Sequence, residues 1–165
     1  MTQNINATFG QKLLIEFLGI AITALIAIAV VYPILQNFAQ PFPFLQSNLI
    51  FIVLFLTYMR FVFLLKYTWF ARFFYLKMAL MLLTFPLGMW LAYQLREFLQ
   101  FKDSEIPDSL LALMFSNKPE AELKSLINYI EIEYIFFGVG AFLANIALFF
   151  RFLMSVWRGA NTGEV

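Results

Sequence analysis

The residues able to do chemistry in this chain are few, and most stand beside or within long apolar runs. Glu16, Arg60, Lys66, Lys77 and Arg151 are charged positions close to such runs, and Asn145 is a polar one inside a run. One acid among several bases points to an ion pair, with Glu16 the acid and Arg60 or Lys77 its partner. It also fits a pocket for an anionic lipid headgroup or another phosphate. The commoner reason for bases in such places is to fix membrane topology. The chain has no cysteine and no histidine. Disulfides, a thiolate nucleophile, cysteine-held iron–sulfur clusters and imidazole-ligated haem are therefore excluded. A zinc site would have to be built from carboxylates alone. Glu131 and Glu133 are two residues apart, hence on nearly opposite sides of a helix, and cannot form one paired-carboxylate site by themselves. No nucleophile with its base is evident. The expectation is a chain without catalytic activity, cofactor or nucleic-acid partner.

The elements that must carry these residues are four apolar stretches, at about 13–35, 49–70, 73–93 and 134–153. A bilayer core needs about 20 apolar residues in helical form. Lipid offers backbone polar groups no partner, so each stretch must be a helix. Hydrophobic residues make up 62% of the chain and charged ones 13%, which argues against a soluble bundle because so small a protein cannot surround four all-apolar helices. The expected fold is all-α: a single four-span membrane domain over 1–165, with a mostly helical outer connection over 97–133. Pro86 inside the third span removes a backbone hydrogen bond and is expected to kink it.

Charge sorts the connections. The first, 36–48, carries none; Arg60, Lys66, Arg72 and Lys77 surround the second; the third is acidic. Short loops rich in Lys and Arg stay in the cytoplasm. Both termini and the second connection are thus expected inside, in a bacterial plasma (inner) membrane or an organellar inner membrane. Trp69 and Trp157 are expected as aromatic anchors at the inner boundary, and Trp90, Tyr93 and Tyr134 at the outer one. The short second connection predicts a tight antiparallel hairpin of spans two and three.

Within the third connection, 107–115 reads as a short amphipathic helix, with Asp103 and Glu105 in a solvated turn before it. A second helix begins near Pro119, and from there to Trp157 it would measure roughly 58 Å at 1.5 Å per residue. Leu123, Leu126, Ile127 and Ile130 place an apolar face on it before the membrane begins. That face must be covered by the bilayer surface, the preceding helix or another protein.

Small residues mark two packing faces. Gly19, Thr23 and Ala27 repeat every four residues in span one, and Gly140, Ala144 and Ala147 share a face in span four beside Asn145. Small residues allow close approach of helices, and a mid-span Asn needs a hydrogen-bond partner. The faces could join spans one and four, or a partner helix. The Phe-rich stretch Phe55, Phe61, Phe63, Phe70, Phe73 and Phe74 reads as lipid-facing surface, or as the lining of a quinone, pigment or lipid-tail site.

A four-span chain with an acid in span one is similar in outline to the small multidrug-resistance exporters. The resemblance covers span count and Glu16; the long acidic third connection departs from their short loops. The expected function is a non-catalytic membrane subunit or accessory protein of a larger assembly, docking through helix faces and the outer amphipathic helix. Its partners would be other membrane subunits or further copies of itself, and anionic lipid headgroups at the inner leaflet. The alternative is a small oligomeric transporter or channel with Glu16, Arg60 and Asn145 in its pathway.

Overall fold

A chain this apolar satisfies its backbone internally, and in the computed structural model it does so with four helices: α1 (Phe9–Asn37), α2 (Leu45–Leu64), α3 (Phe74–Leu113) and α4 (Glu120–Thr162). The structure describes residues 9–37, 42–65, 68, 73–113 and 119–162, with backbone alone at 9, 12, 103–113, 120 and 162. Each helix is long and apolar enough to cross a membrane. Local chemistry sets the ends. The Leu45 amide donates to the Phe42 carbonyl, and the Ser47 hydroxyl donates back to the Phe44 carbonyl at 3.0 Å, starting α2. Near the end of α1, the Asn37 side-chain amide donates to the Pro33 carbonyl.

The packing order differs from the chain order. α2 and α3 both lie along α4, and α1 rests mainly on α2. The expected hairpin of spans two and three is therefore corrected: these helices meet chiefly through side chains such as Phe51 and Trp90, whose ring centroids are 6.3 Å apart. The connection is longer than the hydropathy pattern indicated, because α2 ends at Leu64 and α3 begins at Phe74. That length lets α2 and α3 separate and share α4 as their common partner. Trp69, Phe70, Lys66 and Arg72 lie outside the described residues.

Two more expectations change at the other end. The turn assigned to Asp103 and Glu105, and the separate helix at 107–115, are replaced over 97–113 by an unbroken continuation of α3. The apolar face of α4 beyond the expected membrane boundary is not left for an outside partner. Ile130 is fully buried and Leu123 nearly so, in one cluster with Ile34 of α1, Phe42 and Phe98, while Leu126 and Ile127 pack at its margin. The chain covers its own stripe, since α1 and α3 both extend far enough to reach it. Along α1, by contrast, Leu14, Phe17, Leu25 and Ile28 are exposed.

Candidate functional site

The buried polar residues fall into three layers along α4. At one end Asn48 and Ser47 of α2 meet Glu133 and Tyr134. Midway, Asn145 meets Thr84 of α3. Toward the other end Arg60 meets Glu16 on the α1–α2 side, and at that end Lys77 meets Ser155. Glu133 and Asn145 are about 18 Å apart along the helix, and Asn145 and Ser155 about 15 Å, at 1.5 Å per residue. The outer layers thus stand about 33 Å apart along α4, close to the ~30 Å thickness of a bilayer core.

The basic end holds the pair expected from sequence. Arg60 Nη2 lies 2.7 Å from Glu16 Oε2, and Nη1 donates to the Glu16 carbonyl at 3.2 Å. Gly19 makes this possible, because a Cβ there would overlap Arg60 Nη1. The guanidinium also lies over the Phe61 ring, 4.8 Å from its centroid. Lys77 does not join this pair. It is 1% exposed, and its ammonium donates to Ser155 Oγ at 3.2 Å, tying α3 to α4. Arg151 is half-buried, with its Nε lacking a hydrogen-bond partner. The residues read as one charged set are therefore divided: Glu16 and Arg60 join α1 to α2, Lys77 joins α3 to α4, Arg151 stands apart, and Lys66 lies outside the described residues.

The small-residue faces are occupied from within. Gly19, Thr23 and Ala27 turn toward α2: Ala27 packs with Ile52, and the Thr23 hydroxyl donates to the Gly19 carbonyl at 2.9 Å. Gly140 lies under Phe55, which would stand 2.9 Å from an added Cβ, and Ala144 is buried beside Tyr58 and Leu148. Ala147 is exposed. The small residues of spans one and four thus do not join those two spans; both faces receive the larger side chains of α2. Of the Phe-rich stretch, Phe55 packs inward, while Phe63 and Phe73 are exposed.

Asn145 is 4% exposed and donates from Nδ2 to the Thr84 carbonyl at 2.8 Å. Gly88 admits the amide, since an added Cβ would meet Nδ2 at 2.7 Å. Thr84, Gly88 and Asn145 also line a groove of about 320 Å³ between α3 and α4, bordered by Phe85, Met89, Phe142, Ile146, Phe149 and Phe150.

The acidic end was missed from sequence. Ser47 and Asn48 belong to a stretch read as connection, and Glu133 as the last residue of an outer segment. Instead Asn48 is fully buried and Glu133 6% exposed, and Asn48 Nδ2 donates to Glu133 Oε2 at 2.7 Å. Ser47 Oγ and the Tyr134 hydroxyl are 2.9 Å apart. Tyr134 is no headgroup anchor. It is fully buried, stacked on Phe98 with centroids 3.9 Å apart and set edgewise to Phe51. A signal existed: Asn48 continues the helical stripe of Phe51, Ile52 and Phe55, and so shares the face that α2 buries. Glu131 points elsewhere, pairing with Lys102 at 2.9 Å, as its two-residue offset from Glu133 requires.

No family model, curated protein or solved structure matches the chain. Fold and polar layers define a class: an all-helical protein with four helices long and apolar enough to span a membrane, fastened internally by buried polar pairs.

Proposed function

We propose that this chain is a non-catalytic integral subunit or accessory protein of a larger membrane assembly, resident in a bacterial plasma membrane. Its basic end and both termini face the cytoplasm, where Arg151 is available to anionic lipid headgroups. The observation that carries this reading is the α3–α4 groove. Phe85, Met89 and Phe150 stand exposed around it, over a floor formed by Gly88 and Asn145. Small and polar residues at the base of an apolar groove suit a partner's transmembrane helix, because close packing and single hydrogen bonds drive association in lipid. This groove replaces the Gly140 face and the outer stripe, which the chain's own helices fill. The residues named for a transport pathway support the subunit reading as well, because Glu16, Arg60 and Asn145 are each engaged in pairwise fastening.

A photoreactive residue at Met89 should yield one discrete adduct with a membrane protein, and one at Leu25 on α1 should yield lipid alone. Ile146→Trp, which fills the groove, should abolish the Met89 adduct without lowering the amount of chain in the membrane. Transport of ions or drugs by the purified chain in liposomes, with no Met89 adduct in cells, would replace this reading with the transporter. Orientation is tested by single cysteines at Asn128 and Asn161: an impermeant thiol reagent on intact cells should label the first and spare the second.

A further inference from the structure

The basic end closes its charge with an opposite charge, whereas the acidic end buries a carboxylate beside neutral groups. Glu133 accepts one hydrogen bond, from Asn48 Nδ2 to Oε2. Its other oxygen, Oε1, is buried without a partner, and so is the Oδ1 of the same Asn48. Two acceptors thus lack a donor, and they belong to the two groups already joined by one bond. A primary amide and a carboxylic acid form a ring of two hydrogen bonds, amide N–H to acyl oxygen and acid O–H to amide oxygen. One bond of that ring is present, and the atoms of the other are the two that stand unsatisfied.

We propose that Asn48 and Glu133 form a proton-binding site, in which a proton taken from water at the acidic end resides on Glu133 Oε1 and is donated to Asn48 Oδ1. The transfer needs no other reactant. Uptake removes a buried charge and satisfies both acceptors, which otherwise carry a desolvation penalty. Because Asn48 is on α2 and Glu133 on α4, the bound proton fastens α2 to the central helix.

The groups around the site do not replace that proton. Ser47 and Asn48, facing it from α2, do not titrate. α4 itself adds Tyr129 and Tyr134, the former donating to the Val30 carbonyl of α1 at 2.8 Å. From α3, Glu97 lies near Tyr134 and is hydrogen-bonded to Tyr93, adding negative charge. The Lys102 ammonium is paired with Glu131. Among the described residues no cation pairs with Glu133.

The sign of the pH effect follows from burial. The folded chain holds a proton at Glu133 more tightly than the unfolded chain does, so this contribution to stability grows as pH falls. The test is the thermal midpoint of the purified full chain in mild detergent, from about pH 8 down to about pH 5. Glu133→Gln is the informative variant, because its amide forms the same two-bond ring with Asn48 at every pH. Relative to Glu133→Gln, the parent should gain several degrees as pH falls, while Glu97→Gln keeps the parent's response. Infrared spectra of the parent at low pH should show a carboxylic-acid carbonyl band that Asn48→Leu shifts and Glu133→Gln removes. A parent and Glu133→Gln that respond alike to pH, or absence of that band, would overturn the proposal. Stabilisation of the parent at pH 8 by sodium but not choline, lost in Glu133→Gln, would assign the site to a metal cation instead and overturn the proton.

Discussion

The two ends of the bundle solve the same problem with opposite means. At the basic end the Arg60 guanidinium lies beside Glu16 at 2.7 Å, so α1 is held to α2 by opposite charges, with Glu16 Oε1 and Arg60 Nε buried beside the contact without a hydrogen-bond partner. At the acidic end the Glu133 carboxylate meets an amide, in a layer that also holds the Ser47 and Tyr134 hydroxyls. The first arrangement balances its charge within the chain. The second sets a carboxylate against a neutral amide, so its charge depends on what the surrounding water provides. Between them, the mid-span layer of Asn145 and Thr84 is a single neutral bond, and the weakest of the three.

Substitutions graded by this contrast should separate the ends. The largest effect belongs to Tyr134, the aromatic centre of the acidic end. Tyr134→Ala should cost about 3–5 kcal/mol, as for other large-to-small core changes, whereas Tyr134→Phe should cost about 1 kcal/mol for the bond to Ser47. Denaturant unfolding in mild detergent measures both, and equal losses would mean that the ring contributes nothing beyond its hydroxyl. At the basic end, Glu16→Gln leaves a mostly buried guanidinium unpaired and should cost about 3 kcal/mol. Gly19→Ala should reproduce much of that loss by displacing Arg60, and its effect should vanish when Arg60 is already Ala. A Gly19→Ala penalty that persists in the Arg60→Ala background would show that the glycine serves helix packing instead.

Gly140→Leu should destabilise the isolated chain by about 1–3 kcal/mol, because Phe55 occupies the space the new side chain needs. An unchanged melting temperature would return the Gly140 face to the role of an open docking surface. The smallest loss, about 1 kcal/mol, is expected for Asn145→Leu, the usual worth of one hydrogen bond between membrane helices.

The sequence carried the four helices and the Glu16–Arg60 pair because both rest on local signals: long apolar runs, and a lone acid among bases near one boundary. It did not carry the order of packing. Nothing in the hydropathy pattern distinguishes α2 against α3 from α2 and α3 on either side of α4, since all their faces are apolar. The outer stripe of Leu123 and Ile130 was legible as a buried face, but not which atoms bury it; those come from α1, the segment at Phe42, and α3. Asn48 and Glu133 escaped notice for a related reason. Asn48 sits in the first turn of α2 and Glu133 at the edge of the apolar run in α4, places where polar residues are ordinarily solvated, and only the tertiary arrangement takes both out of water.

The most direct test of the contrast between the ends is a pair of double-mutant cycles on thermal stability, Glu16/Arg60 and Asn48/Glu133, each run at about pH 8 and about pH 5. The Glu16–Arg60 coupling should stay the same at both values while the Asn48–Glu133 coupling strengthens at the lower one. Two couplings that change together with pH, or an Asn48–Glu133 coupling indifferent to it, would remove the contrast.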